Sequence, residues 1–254
     1  MMIDITLGIW IPFCGTALGA ACVFFMRGEL NRGVQSVLSG FAAGIMTAAS
    51  VWSLLLPAID RASHLGGLSF LPAVLGLISG VLIMLALDIM IPRLCALGKR
   101  SPRNPSLLVL AVTLHNLPEG MAVGAVLAGL IAGEQGITAA GALALSVGIA
   151  IQNLPEGAII SLPSHGGGKS KVKAFMYGVL SGIVEPVGAI LTLLAVGVVV
   201  PVLPLLLSFA AGAMFYVVVG ELIPKVSESG HPYLGNIAFA LGFSIMMMLD
   251  VALG

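Results

Sequence analysis

Charge is what this chain has least of. Only 9% of its 254 residues are Asp, Glu, Lys or Arg, while 59% are hydrophobic. A soluble domain carries about a quarter charged residues. Eleven basic and eleven acidic side chains cannot clothe a water-exposed surface on a chain this long. The surrounding solvent must be mostly lipid, where only helices or a closed barrel satisfy the backbone. A barrel needs strands of about ten residues alternating apolar and polar. The apolar runs here are about twenty residues long, which suits helices crossing hydrocarbon.

Other absences narrow the field. Three cysteines, Cys14, Cys22 and Cys95, have no paired spacing, so neither a disulfide framework nor a thiolate metal site is expected. A net charge of zero leaves no electrostatic footprint for nucleic acid. No Walker-type motif is present, so ATP coupling by this chain is not expected. The segment 5–26 lacks a basic n-region and reads as a span, not a cleaved signal peptide. What is abundant is glycine, at 33, and proline, at 14. Membrane helices accept both, because neighbouring helices re-satisfy the freed backbone groups.

The pattern predicts an all-α integral membrane protein of eight transmembrane helices in one bundle, a single domain over 1–254. The spans are 5–26, 34–57, 68–92, 106–131, 136–162, 173–199, 202–224 and 232–252. The longest polar gaps are Arg93–Pro105 and Pro163–Lys173. Loops after spans 1, 3, 5 and 7 carry Arg27, Arg32, Arg93, Lys99, Arg100, Arg103, Lys169, Lys171, Lys173 and Lys225. Only Arg61, of the eleven basic residues, falls on the other side. The bias towards cytoplasmic basic loops puts both termini outside the cytoplasm.

Span 4 contains His115-Asn116-Leu117-Pro118-Glu119-Gly120, and span 5 contains Gln152-Asn153-Leu154-Pro155-Glu156-Gly157. The shared Asn-Leu-Pro-Glu-Gly block recurs 37 residues later on the neighbouring antiparallel helix. Paired interrupted helices commonly mark a transporter's substrate site. Pro118 and Pro155 lack an N–H and clash with the carbonyls of Leu114 and Ile151, loosening the ladder beside each Glu. Gly120 and Gly157 permit close helix approach.

Six acids fall inside spans: Asp88, Glu119, Glu156, Glu185, Glu221 and Asp250. Ionised carboxylates in hydrocarbon are costly and mark functional sites. With almost no basic residues in the spans, these acids need a cation, bound protons or water. His115 with Glu119, and Gln152 with Glu156, share i,i+4 spacing and so one helix face. Histidine with carboxylates suits zinc and similar borderline metals. Glu185, directly before Pro186, and the thioether of Met46 extend the candidate ligand set. Glu221 and Asp250 are read as a second polar station or as a protonated interhelical pair. Asp88 lies near the cytoplasmic end of span 3, where it is read as a route candidate or as a side chain that reaches the headgroup region. Glu134, Glu228, His64, His165 and His231 are loop residues. An intramembrane metalloenzyme with Glu119 as base is one alternative to metal transport, although no His-Glu-x-x-His helix exists. A proton or cation channel using the acids as a relay is another.

The eight spans and the two Pro-Glu-Gly motifs resemble the ZIP (Zrt/Irt-like) metal transporters over essentially the whole chain. Gln152, the short loops and Ala43-Gly44-Ile45-Met46 followed by Ser53 and Pro57 are similar to the prokaryotic GufA-like branch. The resemblance implies a binuclear metal centre between spans 4, 5 and 6. One position would use His115, Glu119, Gln152, Glu156 and Met46. The other would use Asn116, Glu119, Asn153, Glu156 and Glu185. It implies transport into the cytoplasm across a bacterial plasma (inner) membrane by alternating access, one helix group sliding against another. Ser53, Asp60 and His64 would lie towards the outer entrance, and Glu221 and Asp250 on the release route. By analogy it implies a homodimer. The metal is substrate, and no cofactor is expected. Many relatives have His where Gln152 sits, some have Asp where Asn153 sits, and many eukaryotic relatives carry a histidine-rich loop absent here. Neutral residues at both positions imply selectivity spread over Zn²⁺, Cd²⁺, Fe²⁺ and Mn²⁺. A thiolate-free ligand set argues against Cu⁺.

Overall fold

A computed structural model of the chain describes residues 2–25, 31–97, 105–166 and 168–253. The basic residues Arg27, Lys99, Arg100 and Arg103 lie outside the described residues. Eight helices are long and apolar enough to cross a membrane. They are α1 (Met2–Phe25), α2 (Arg32–Arg61), α3 (Phe70–Leu97), α4 (Pro105–Ala132), α5 (Ala139–Gly166), α6 (Lys171–Leu194), α7 (Val196–Glu228) and α8 (Pro232–Leu253). The third polar gap begins later than the sequence suggests, since Arg93 is still helical.

Local chemistry explains where these helices start and bend. Asn31 caps α2 by accepting from the Gly33 N–H at 2.8 Å. A π-helical turn, Ser50–Leu55, widens α2 just before Pro57. A second, Val218–Leu222, widens α7 just before Pro224. In both, the missing proline N–H frees a carbonyl one turn earlier, and the wider turn re-aims the side chains it carries. α6 breaks at Ile183, between Lys171–Gly182 and Val184–Leu194.

This corrects one expectation. Pro118 and Pro155 do not interrupt their helices; α4 and α5 run unbroken past both. A single lost hydrogen bond is tolerated where neighbouring helices hold the segment. The interruption falls instead in α6, beside Glu185 and Pro186.

The helices sort into two packed groups. α1 lies along α5, while α6 packs on α1, α4 and α5. In the other group α2 lies along α8, and α3 along α7. Glycines make both seams tight. A Cβ at Gly15 or Gly157 would stand 2.1 or 2.0 Å from a backbone oxygen across the α1–α5 seam. One at Gly44 or Gly80 would stand 2.1 Å from a backbone oxygen of α8 or α7. Among the described residues, every such glycine-to-backbone approach below 3 Å joins helices of the same group. Between groups the fill is side chain, as where Gly148 of α5 meets the Met246 thioether of α8. Over Thr113–Ala132 α4 is the most enclosed span, while α3 and α8 present large apolar side chains such as Leu82 and Met248 outward, as a lipid face requires.

Candidate metal centre

The two motifs meet. His115, Asn116 and Glu119 on α4, Gln152, Asn153 and Glu156 on α5, and Glu185 on α6 are all buried. Gln152 Nε2 donates to Glu119 Oε1 at 2.7 Å, tying the motifs together, and lies 3.3 Å from Asn153 Oδ1. Asn116 Nδ2 donates to Glu185 Oε1 at 3.2 Å and towards the Ser181 carbonyl at 3.4 Å. Thr16 Oγ1 of α1 donates to the same Glu185 oxygen at 2.6 Å. All these side chains belong to the group formed by α1, α4, α5 and α6.

What remains unpaired decides the chemistry. Glu119 Oε2, Glu156 Oε2, Glu185 Oε2, Asn116 Oδ1 and Gln152 Oε1 are buried acceptors without a hydrogen-bond partner, and Asn153 Nδ2 is a buried donor without one. Each orphaned buried acceptor costs about 1–3 kcal/mol, and more when charged. Five orphaned acceptors against one orphaned donor, on three helices packed together, fit a cation bound by hard and borderline oxygen ligands. Among the described residues, no three His, Cys, Asp or Glu side chains stand close enough together to hold a metal ion by themselves. The carboxylates are interleaved with carboxamides, which supply acceptors of their own.

His115 does something the i,i+4 reading did not foresee. Its Nδ1 faces Glu221 Oε1 of α7 at 2.8 Å, and its Nε2 stands 3.7 Å from Asp88 Oδ1 of α3. Glu221 is also bridged to Lys225 at 3.2 Å. The expectation that the acids lack counter-charges therefore fails at Glu221. The spacing of Glu221 and Lys225, i,i+4 on one helix, was the readable signal. Asp88 also accepts from the Tyr216 hydroxyl of α7 at 2.6 Å. Neither Thr16 nor Tyr216 was marked by the sequence; each is a lone polar residue in an apolar span.

The remaining candidates scatter. Met46 is fully buried in the apolar core, one turn before the π-helical turn of α2. Asp250 does not join Glu221; it accepts a short hydrogen bond from Ser53 Oγ. Both line a cavity of ≈ 200 Å³ at the end of the bundle that holds the C-terminus, together with Trp52 and Thr138. The pairing of Asp250 with Glu221 as one station is thereby corrected. α8 starts at Pro232 beside the end of α7, so its last turn is carried to the opposite end of the bundle. Asp60 and His64 are exposed, with His64 Nδ1 3.1 Å from the Arg61 carbonyl. Arg61 donates to the Gln135 carbonyl at 2.8 Å and lies 3.8 Å from Glu134, so that loop acid has a partner.

Gln152→His is expected to shift selectivity towards zinc, because an imidazole, a better zinc ligand than an amide, would stand beside Glu119. Competition uptake of zinc against manganese checks this; unchanged preference would remove Gln152 from the ligand set.

Fold and site together define a class: a polytopic helical membrane protein with carboxylates and carboxamides buried inside one of its two helix groups. Residues 105–250 match the family model described as ZIP Zinc transporter. The chain is 38% identical to "Zinc transporter ZIPB" of Bordetella bronchiseptica, covering 95% of this chain and 79% of the relative. It is 34% identical to "Zinc transporter ZIP11" of Homo sapiens, covering 98% and 96%. It is also 34% identical to "Zinc transporter GufA" of Myxococcus xanthus, covering 94% and 96%. The chain belongs to the ZIP family.

Proposed function

We propose that this chain imports a divalent transition metal, zinc before cadmium, iron or manganese, into the cytoplasm. The observation that carries this reading is the set of orphaned carboxylate and amide oxygens buried on α4, α5 and α6. A protein that only needed a stable bundle would lose nothing by filling those positions with apolar residues. Two metal positions share the set. One takes His115, Glu119, Gln152, Glu156 and Met46, the other Asn116, Glu119, Asn153, Glu156 and Glu185, with the two middle glutamates bridging. The relatives named above are transporters, not enzymes, and their names support zinc as the substrate.

The packing supports alternating access. Apart from Met46, the ligands ride on the group formed by α1, α4, α5 and α6, whose seams are locked backbone to backbone. The opposing group touches it through side chains such as Met246, which can re-pack as one body slides. Release of metal at one end and capture at the other then needs no change inside either body. The whole chain acts as one transport domain in a bacterial inner membrane, with both termini outside the cytoplasm. The described basic residues support that orientation, since Arg61 alone stands at the end opposite to Arg32, Arg93, Lys169, Lys171, Lys173 and Lys225.

Zinc flux into proteoliposomes tests the reading. The expected result is uptake that saturates with zinc concentration. Flux that rises linearly without limit, or single-channel conductance, would support the channel alternative. No flux of zinc, cadmium, iron or manganese by folded protein would sink the proposal.

A further inference from the structure

The proposed ligand set includes one histidine, and the structure shows what holds it. His115 Nδ1 lies 2.8 Å from Glu221 Oε1, and Glu221 Oε2 lies 3.2 Å from Lys225 Nζ. These groups, with Glu156, line a small pocket between α4, α5 and α7. A carboxylate can only accept, so the ring nitrogen that faces it must carry a proton. Whatever the charge on the ring, Nε2 is then the nitrogen that can exchange a proton for a metal. Metal-binding histidines are commonly fixed in this way, by a carboxylate on the nitrogen that does not bind the metal.

Glu221 is itself set in place. It sits in the π-helical turn Val218–Leu222, which carries it towards α4, and Pro224 follows two residues after that turn. Both of its oxygens are engaged, one by the imidazole and one by the ammonium. A half-buried carboxylate with a single partner would swing towards any passing cation. Lys225 removes that freedom and compensates the charge. Glu221 therefore serves here as a brace, although its acidity alone suggests a station on the release route.

We propose that Lys225 and Glu221 are positioning residues for His115: the ammonium holds the carboxylate, the carboxylate holds Nδ1–H, and Nε2, which stands 3.7 Å from Asp88 Oδ1, is the nitrogen left to bind a metal. This rests on the metal-site reading of His115 given above. The relay also crosses between the two helix groups, since His115 belongs to α4 and Glu221 to α7. It therefore fixes the ring only while the groups stand in this register, and sliding of one group would free the histidine as the metal leaves.

The test uses purified full-length protein, with zinc binding by titration calorimetry alongside zinc uptake in proteoliposomes. Lys225→Met is expected to weaken zinc binding and raise the uptake KM by about 10-fold, the lower end of what losing such a partner costs. Lys225→Arg should restore both, because a guanidinium can also hold Glu221. The decisive comparison is a double variant. His115→Ala and His115→Ala/Lys225→Met should bind zinc equally, because Lys225 acts only through the ring. An equal loss from Lys225→Met in both backgrounds would overturn the relay and leave Lys225 as a general electrostatic or structural residue. Unchanged KM and binding in Lys225→Met would overturn it as well. Wild-type protein that binds zinc but transports none would instead sink the transport reading and leave the relay standing.

Discussion

Zinc uptake by the Glu119→Ala variant is expected to fall by about 100-fold or more, since removing even an outer partner of a metal ligand costs about 10–100-fold. Glu119 carries this weight for three reasons. It is buried, one of its oxygens is already fixed by Gln152 Nε2, and the other is orphaned. The fixed oxygen sets the direction of the orphaned one, so the free lone pairs are aimed before a metal arrives. Glu119→Gln separates charge from shape. It keeps the volume and can still accept from Gln152, so it should fold like wild type yet transport almost as poorly as the alanine variant. Glu156→Ala should behave like Glu119→Ala, because its Oε2 is orphaned in the same region. His64→Ala, on an exposed turn, should change uptake little. Proteoliposome uptake normalised to folded protein is the measurement. Wild-type rates in both glutamate variants would remove the central site from the transport path.

Much of this site was legible from the chain alone, and the reason is physical. A carboxylate in hydrocarbon needs a partner, so Glu119, Glu156 and Glu185 announce themselves wherever they occur in an apolar run. The duplicated Pro-Glu-Gly block fixed which two helices must face each other. What could not be read was how side chains meet across groups. Nothing in the spacing of α4 says that His115 turns to Glu221, more than a hundred residues later. Nor does spacing say that Thr16 reaches Glu185. Asp250 was misplaced for a related reason. Charge type suggested that it belongs with Glu221, but the up-and-down course of α7 and α8 carries it to Ser53 at the far end. The prolines misled in another way. Sequence shows that a hydrogen bond is lost at Pro118 and Pro155, but whether the helix breaks depends on the neighbours that clamp it. Those neighbours exist around α4 and α5, and the break falls instead in α6 at Ile183, ahead of Pro186.

The two-group architecture makes its own prediction, in which two single methyl groups on the same helix have opposite consequences. In Gly157→Ala the new Cβ would stand 2.0 Å from the Thr16 carbonyl oxygen and 2.7 Å from the Ala20 nitrogen. Backbone cannot step aside, so α1 and α5 must separate along a seam held by Gly15 and Gly19 from the other side. The expected loss is at the upper end of the ~1–3 kcal/mol typical of overpacking, or beyond it. Thr16 would move with its helix and release Glu185 Oε1, so metal affinity should fall together with stability. In Gly148→Ala the Cβ would meet the Met246 sulfur at 2.3 Å and its methyl at 2.9 Å. A thioether on three rotatable bonds can swing away. Stability should therefore drop by less than about 1.5 kcal/mol. Gly148 lies on the boundary along which the proposed sliding would occur, however, so its variant should keep zinc binding and lose turnover. Thermal unfolding in detergent, zinc titration and uptake, measured on both variants, separate these outcomes. If both methyls destabilise alike, or if Gly148→Ala transports at the wild-type rate, the soft boundary between two rigid groups is not where the bundle moves.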